Sequence, residues 1–526
     1  MTMRFDEGLA WLTVGACAAS CIPAGLRWLR VAQREHYLPG SVSRFAARWW
    51  RIIPVNATLA VVAVAAGVVA SWWPVVGVIT AAVVAAGPIG LGIRGRSSRL
   101  AWTRRLRTLA AVWALLEVIV VVVGIVTGPA SVLALVAALG VPFAVDAACL
   151  VTAPVERRLA GRYVDTAQER LHRVGPTVVA ITGSYGKTST KGHLAHLLGT
   201  SRPVVASPAS FNTRAGLARA VNEHLAEGTQ VFIAEMGTYG PGEIAELCRW
   251  CPPDISIITA IGPVHLERFG SEEVVLWAKA EILEPAPVVV LPVDDPRLAA
   301  LADAAASAGK RVVRCSAFDH SADVCVVREP GGAVLSVFLG GSPIVEQVGA
   351  PPGVQPTNLA CAVGAALVLG LDAGALATRI ADLPAVDHRL LSARSASGAT
   401  VLDDTYNSNP AGVSAALATL AMTAGDNGSR AGHRVVVVTP GMVELGARQY
   451  DENRKFAAAV ATVADDLVIV GRTNRRALRD GAASVAGSRL SVLAVEERRE
   501  AVEWVRGHLG EGDAVLYEND LPDHYP

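Results

Sequence analysis

Residues 179–189, VAITGSYGKTS, carry the strongest structural signal in this chain. A β-branched run leads into a glycine-rich turn, and a helical pattern begins at Lys187. Backbone N–H groups of such a turn bind phosphates, the lysine reaches the outer phosphates, and the next hydroxyl ligates Mg²⁺. A standard phosphate-binding loop has another glycine where this chain has Ile181, five positions before Gly186. We therefore predict a nucleotide-binding turn of unusual spacing between a strand and a helix.

Short valine- and isoleucine-rich runs alternate with helical patterns from about residue 176 onward. This alternation predicts an α/β fold in which parallel strands are covered by helices on both faces. The predicted strands are residues 177–182, 231–237, 254–262, 288–293, 400–404, 434–439, 466–471 and 513–517. A Ser/Ala/Gly-rich break near 384–399 predicts a boundary between a nucleotide-binding domain, 159–384, and a C-terminal domain, 385–526.

Three further motifs offer polar groups to such a site. Glu235 lies near the end of a predicted strand, where a carboxylate can approach phosphate-bound Mg²⁺, although strand-end acids are more often capped or solvated. His265 precedes LERFGS, and a single histidine is more often structural. Residues 403–410, DDTYNSNP, offer side chains to a nucleotide or small substrate, although such loops are often simple turns.

Lysine is scarce in this chain, because arginine supplies 42 of the 47 cationic residues. Lys279 lies in the short segment Ala-Lys-Ala-Glu. Chemistry that needs an amine rather than a charge cannot use arginine, which stays protonated. We therefore predict a chemical role for Lys279.

The composition indicates a membrane part and excludes several other classes. The apolar fraction is 52% and the charged fraction 18%, against roughly 45–50% and 25% for soluble domains. Residues 1–158 hold fifteen arginines and six acids, whereas the remainder is acidic. An acidic soluble part argues against nucleic-acid binding. The eight cysteines do not form a disulfide pattern, and Cys248 and Cys251 lack a second pair for zinc.

Residues 1–158 are predicted to be a helical transmembrane domain. Five apolar stretches have about the length needed to span a bilayer: 8–26, 52–71, 74–93, 108–127 and 130–151. The arginine-rich segments 27–51 and 94–107 are placed in the cytoplasm by the positive-inside rule. We therefore predict a multi-pass inner-membrane protein with its N-terminus outside and everything beyond about residue 155 in the cytoplasm.

Two features of this domain leave alternatives open. The second and third stretches are joined by a very short turn, so they form either two spans or one buried or re-entrant hairpin. Glu117 and Asp146 lie within the fourth and fifth stretches, where acids are either functional or paired inside the helix bundle. A cleavable signal peptide is disfavoured, because Asp6 and Glu7 precede the first stretch.

Together these motifs resemble the Mur ligase family, most closely its D-alanyl-D-alanine-adding branch, over about residues 176–480. TGSYGKT at 182–188 matches the family's phosphate loop, and HLERFGS with AKAE matches a segment of that branch. DDTYNSNP and MVELG at 442–446 resemble two further motifs of the branch. The resemblance implies a P-loop-type central domain and a Rossmann-like C-terminal domain.

The resemblance also implies an ATP-dependent amide ligase that uses Mg²⁺. The carboxylate is phosphorylated by ATP, and an amine attacks the acyl phosphate. Lys187, Glu235, His265 and Lys279 would be catalytic, with Lys279 carbamylated and with Thr188, Glu235 and His265 around the metal. The implied nucleotide contacts are Gly183, Ser184, Tyr185, Gly186, Lys187, Thr188, Ser189, Asn358, Arg389 and Asp404. The implied substrate contacts are Asn212, Tyr406, Asn407 and Asn409.

Departures from the family leave the substrates open. Membrane spans stand where related enzymes have a soluble domain that binds a UDP-sugar, and the family's C-terminal Lys-Gly-Ser-Arg is absent. The amine is expected to be an amino acid, a dipeptide or another amine, in cell-envelope synthesis with possible protein partners. The arginine-rich loops and the number of spans predict an acceptor carried on a lipid phosphate, although the positive-inside rule alone explains those arginines.

Three alternatives remain at this stage. The first is a polymerising ligase of the poly-γ-glutamate synthase type, which also couples a membrane anchor to a similar core. The second is a membrane P-loop NTPase that drives transport or assembly. The third is a nucleotide-binding scaffold without ligase activity. Lys279 favours a ligase, because neither conformational cycling nor scaffolding needs a carbamylated lysine.

Overall fold

The computed structural model describes residues 2–93, 100–208, 210–264, 266–329, 334–349, 351, 353–384, 391–405, 408–426 and 433–520. Four residues with predicted roles lie outside these ranges: His265, Arg389, Tyr406 and Asn407. The described chain divides into two compact units, which meet in sequence at Ala160 and Gly161. Each unit is described by itself.

The first unit is helical throughout. Its helices are α1 (Thr2–Arg34), α2 (Ser41–Ile52), α3 (Pro54–Val69), a 3₁₀ turn (Pro74–Val76), α4 (Gly77–Ala86), α5 (Arg104–Thr127) and α6 (Ala130–Val174), the last of which continues into the second unit. Pro54 starts α3, where a missing N–H costs nothing. The Thr103 hydroxyl caps α5 by accepting a hydrogen bond from the N–H of Leu106.

Three of the described helices are long and apolar enough to cross a bilayer: Gly8–Arg34, Arg104–Thr127 and Ala130–Val174. A fourth is added if the bent pair Ser41–Arg51 and Pro54–Val69 forms one span. The second and third predicted stretches instead form the shorter helices α3 and Pro74–Ala86. Three helices, or four with the bent pair, therefore pass this test among the described residues, against the five spans predicted from the sequence.

Helices α3 and α4 pack against each other as a short hairpin. The Asn56 side chain accepts from the Ile89 N–H at 2.8 Å and donates to the Ile89 carbonyl at 3.1 Å, so the two open ends of the hairpin are tied together. The Arg27 guanidinium donates to the carbonyls of Val84 and Gly87, at 3.3 and 2.8 Å. These bonds satisfy the carbonyl groups that α4 leaves unpaired at its C-terminus.

The two acids within predicted spans have polar partners. The carboxylate of Asp146 accepts from the backbone N–H groups of Val42 and Ser43, at 3.2 and 2.8 Å, and thereby caps the N-terminus of α2. Glu117 accepts from the Trp113 indole N–H at 3.1 Å. These contacts favour the structural alternative for both acids.

The second unit begins with a nine-stranded sheet. Its strands are β1 (Thr177–Thr182), β2 (Val204–Ala206), β3 (Val231–Glu235), β4 (Ile255–Ile258), β5 (Val288–Pro292), β6 (Arg311–Ser316), β7 (Val324–Arg328), β8 (Val334–Leu339) and β9 (Ser342–Gly349). Their order is β2-β3-β1-β4-β5-β6-β7-β8-β9, and pairing is parallel up to β7. The last two pairings are antiparallel, which the sequence did not predict.

Helices cover both faces of this sheet. They are α7 (Lys187–Gly199), α8 (Arg214–His224), α9 (Glu243–Trp250), α10 (Leu266–Phe269), α11 (Glu272–Ala280), a 3₁₀ turn (Glu281–Leu283), α12 (Pro296–Ser307), α13 (Pro356–Val368), a 3₁₀ turn (Ala373–Ala375) and α14 (Leu376–Ala381). Side chains that alternate along the strands form two apolar layers, one against α7 and α13 and the other against α8, α9 and α12. Burial on both faces explains why the central strands are nearly continuous apolar runs.

A second sheet of six strands completes the unit. Its strands are β10 (Leu391–Arg394), β11 (Thr400–Asp404), β12 (Val435–Thr439), β13 (Asp466–Val470), β14 (Ser491–Val495) and β15 (Ala514–Glu518), in the order β10-β11-β15-β12-β13-β14. Its helices are α15 (Pro410–Asp426), a 3₁₀ turn (Gly446–Arg448), α16 (Gln449–Val463), α17 (Arg475–Ala483) and α18 (Arg498–His508). All its pairings are parallel except β10 with β11. The predicted fold class is confirmed.

Candidate active site

The turn that the sequence predicts to bind phosphate, residues 183–186, joins β1 to the N-terminus of α7. We call it the phosphate-binding turn. Gly183 and Gly186 have φ angles of +152° and +79°, which side chains disfavour. A Cβ atom on Gly186 would lie 2.1 Å from Oδ1 of Asn358, a buried residue in the first turn of α13. The fold therefore brings Asn358 to the turn, next to the N–H groups at the start of α7.

Hydrogen bonds to the segment after β4 hold this turn in shape. The Ser184 hydroxyl accepts from the Gly262 N–H at 3.0 Å and donates to the Gly262 carbonyl at 3.2 Å. The Thr259 hydroxyl donates to the Tyr185 carbonyl. The side chain of Ser184 is therefore used as a support, so its contribution to a phosphate is expected from its backbone.

Glu235 lies at the centre of the polar cluster, at the end of β3 beside the turn. Its carboxylate accepts from the Thr188 hydroxyl and the Asn212 amide, both at 3.1 Å, and pairs with the Lys191 ammonium at 2.8 Å. Burial alone would raise the pKa of Glu235, but the charges of Lys191 and Lys187 and these hydrogen bonds lower it below its ordinary value. The group is therefore a buried, oriented carboxylate.

The oxygen atoms of Thr188 and Glu235 suit Mg²⁺, which prefers hard oxygen ligands. Within the described ranges, no three His, Cys, Asp or Glu side chains gather as a metal site. The third predicted ligand, His265, is outside the described residues.

Two of the predicted catalytic residues are lysines, Lys187 at the start of α7 and Lys279 in α11. The Lys187 ammonium donates to the Gly183 carbonyl at 2.8 Å. Lys279 lies near the end of α11 and is 3% exposed. Burial, and then the charge of Lys187, lower the pKa of Lys279 well below its ordinary value. A lowered pKa favours the uncharged amine over the ammonium.

Two residues with predicted roles, Asp404 and Asn409, lie at the second sheet and form different kinds of contact. Asp404 ends β11 and is buried, and its carbonyl accepts from the Asn519 N–H. Asn409 instead caps α15, since its side-chain oxygen accepts from the Gly412 N–H at 2.9 Å. The sequence predicted a substrate contact for Asn409, and its observed bond is that of a helix cap.

Two of the sequence motifs that resemble Mur ligases, LERFGS and MVELG, are in contact between the two sheets. The ideal Cβ position of Gly446, which ends MVELG, is 3.3 Å from the Cβ of Leu266, which begins LERFGS. Glu272 accepts from Arg448 of the second domain and pairs with Arg297 at 2.7 Å. We call Arg297, Glu272 and Arg448 the ion chain.

The side chain of Tyr185 lies beside this ion chain. Burial raises the pKa of the Tyr185 hydroxyl, and the negative charge of Glu272 adds to the rise. The hydroxyl forms no hydrogen bond with any residue that the structure describes. The ring of Tyr185 packs against Gly262, where a Cβ atom would have no room.

The structure adds Lys191, Glu272 and Arg448 to the predicted residues. The scarcity of lysine could have singled out Lys191, which lies one helical turn beyond Lys187. No local signal marked Glu272 or Arg448, because their roles depend on contact between distant segments. Cys248 and Cys251 are both buried free thiols.

Two family models match the chain: the Mur ligase middle domain over residues 181–366, and the glutamate ligase domain of Mur ligases over residues 388–517. The UDP-N-acetylmuramoyl-tripeptide–D-alanyl-D-alanine ligase of Mycobacterium bovis is 32% identical over 363 residues, covering 65% of this chain and 70% of that protein. The chain belongs to the Mur ligase family. Mur ligases are ATP-dependent amide ligases, so the predicted enzyme class is confirmed.

More distant relatives agree with this Mur ligase assignment. The Bacillus subtilis ligase of the same name is 25% identical and covers 67% of this chain and 75% of that protein. The solved MurF of Acinetobacter baumannii has a TM-score of 0.58 at 24% identity, covering 69% of this chain and 77% of that one. MurF of Thermotoga maritima, in complex with ADP, has the same TM-score at 23% identity, covering 69% and 80%. These two solved structures have the same fold as the part of this Mur ligase that they cover.

Proposed function

We propose that this Mur ligase joins a carboxylate acceptor to an amine at the cytoplasmic face of a membrane, using ATP and Mg²⁺. ATP transfers its γ-phosphoryl group to the carboxylate, and the amine then displaces phosphate to form the amide. One observation carries the proposal: Lys187, Thr188 and Glu235 lie together at one turn. Amine-dependent turnover of ATP by the detergent-purified protein would test it, since an NTPase would not need the amine.

Each of these residues has a distinct role in the proposal. Lys187 and the N–H groups of the turn bind the outer phosphates, and Asn358 contacts the nucleotide from α13. Thr188 and Glu235 hold Mg²⁺, which would neutralise phosphate charge during transfer. Lys279, as a carbamate, would give the site a second carboxylate-like ligand.

The sequence relatives suggest the class of substrates. They are named for a tripeptide acceptor and a D-alanyl-D-alanine amine, and they align with 65% of this chain. We propose a peptide-bearing carboxylate and an amino acid or dipeptide in cell-envelope synthesis. The alignment covers only part of this chain. We therefore propose that the helical unit contributes to recognition of the acceptor in a way that these relatives do not.

We propose that the helical unit crosses the membrane three times and that α3 and α4 enter as a re-entrant hairpin. At 1.5 Å per residue, helices of 16 and 10 residues are too short to cross about 30 Å of hydrocarbon. Both arginine-rich segments then stay in the cytoplasm, as in the predicted orientation. The bonds of Arg27 and Asn56 support this arrangement, because buried backbone groups must be satisfied within the membrane.

This topology predicts that Trp72→Cys is not labelled by an impermeant maleimide in intact cells. The turn at Trp72 would face the outside if five spans were present. Gly128→Cys, in the turn between α5 and α6, is the positive control, because it is outside in either case. The eight native cysteines are buried, so background labelling should be low. Labelling of Trp72→Cys equal to that of Gly128→Cys would refute the hairpin.

The acceptor is proposed to be carried on a lipid phosphate. Helix α2 has Arg44, Arg48 and Arg51 exposed, while Phe45 and Trp49 are buried. Such a helix suits the membrane interface. Arginine binds phosphate through two parallel hydrogen bonds and never loses its charge.

Replacing Arg34, Arg44 and Arg48 together with glutamine should lower the rate with a lipid-linked acceptor roughly tenfold, because charge-assisted bonds to phosphate are lost. The rate with a water-soluble acceptor fragment should not change. Replacing the exposed Arg476 and Arg499, at 88% and 78% side-chain exposure, is the matched control. An unchanged rate with the lipid-linked acceptor would leave the helical unit as a tether, and equal losses on both acceptors would contradict a specific role of these arginines in binding the lipid phosphate.

A further inference from the structure

Two of the five lysines in this chain, Lys187 and Lys191, lie in the helix that follows the phosphate-binding turn. Lys187 and Lys191 lie one turn apart on α7, and Lys279 is close enough for its pKa to respond to Lys187. Arginine provides 42 of the 47 cationic residues of the whole chain. The proposed function uses Lys187 and Lys279, and it leaves Lys191 without a role.

Lys191 is an enclosed ammonium group directed at Glu235. Its side chain is 7% exposed, and its Nζ lies 2.8 Å from Oε2 of Glu235 and 3.4 Å from the carbonyl of Pro208. The carboxylate of Glu235 is 3% exposed. Removing one partner of a buried ion pair leaves the other charge uncompensated, which is costly.

The same helix offers Glu235 two ammonium groups. Residues four apart lie on one face of a helix, so Lys187 and Lys191 both face this carboxylate. Lys191 forms the 2.8 Å ion pair, whereas Lys187 donates to the Gly183 carbonyl within the turn. The lysine that must reach phosphates is thereby held on the phosphate-binding loop.

We propose that Lys191 is a positioning residue that neutralises Glu235 and so keeps Lys187 available for the nucleotide phosphates. Without Lys191, the nearest cation on α7 that can compensate the buried carboxylate is Lys187. Its ammonium would turn from the loop to Glu235, and the turn would lose its charged phosphate ligand. This inference rests on the proposed ATP site.

The test is binding of fluorescent ADP to the full-length protein in detergent with EDTA, so that no metal contributes. Lys191→Met should weaken ADP binding roughly tenfold, because one charge-assisted bond to phosphate is lost. Lys191→Gln, which keeps a donor without the charge, should change affinity in the same direction. Lys310→Met is the matched control, since the Lys310 ammonium bonds the carbonyls of Glu284 and Ala286 away from the turn.

The double variant Lys191→Met with Glu235→Gln separates positioning from damage to the fold. Removing the carboxylate frees Lys187 again, so the double variant should bind ADP with EDTA as tightly as the wild type. Double-variant binding as weak as that of Lys191→Met would overturn the proposal. Wild-type affinity in Lys191→Met would also overturn it. Failure of the wild type itself to bind ADP would instead contradict the proposed function.

Discussion

Replacing Lys187 with alanine is expected to lower ATP turnover roughly a hundredfold or more. Removing one preorganised donor that stabilises charge in a transition state has an effect of this size. Lys187 follows Gly186 at the start of α7, and its ammonium is held 2.8 Å from the Gly183 carbonyl. Alanine leaves the backbone of the turn intact and removes the charge that meets the outer phosphates. Turnover is measured as ADP release from the detergent-purified protein.

Membrane insertion provides the control for this variant. Lys187 belongs to the second unit. All the candidate spans precede it in the sequence, since the last of them ends at Val174. The variant should therefore fractionate with membranes like the wild type. Lys455→Ala, which removes a lysine side chain that is 70% exposed, should retain turnover. Normal turnover by Lys187→Ala would refute the phosphate-binding assignment of this turn.

Replacing Lys279 with arginine is expected to abolish amide formation although the positive charge is retained. Burial lowers the pKa of Lys279, so more of its amine is uncharged near neutral pH than in an exposed lysine. An uncharged amine can add carbon dioxide to give a carbamate, which carries negative charge. A guanidinium remains protonated and cannot do so. The measurement is amide product formed per ATP consumed.

Chemical rescue makes this prediction specific. Added bicarbonate should not restore Lys279→Arg, because the reactive amine is missing. A short carboxylate such as acetate should partly restore Lys279→Ala by entering the space left by the side chain. Full activity of Lys279→Arg would show that the carbamate is not required.

Local signals allowed much of the site to be predicted. The strand 177–182 and the start of the helix at Lys187 coincide with β1 and α7, because a β-branched run, glycines and a helical pattern are all short-range features. Glu235 was expected at a strand end and closes β3. Parallel neighbours end at one edge of a sheet, so the topology brings it to Thr188.

Contacts between distant segments could not be predicted in the same way. Glu272 and Arg448 are 176 residues apart in sequence, and neither has a local pattern that names the other. The hairpin was one of two alternatives because composition does not reveal that Arg27 satisfies the end of α4. Asn409 fits both a binding loop and a helix cap, and only the position of Gly412 distinguishes them.

The ion chain has a consequence for the pace of the catalytic cycle. The side chains of Arg297, Glu272 and Arg448 are 39%, 18% and 49% exposed, and pairs of this kind contribute about 0–1 kcal/mol each. Pairs this weak would let the two domains align and still separate, as the release of ADP and product would require. Salt screens such pairs, so rising ionic strength would favour the parted domains. A tighter apolar junction would make departure of the products the slow event.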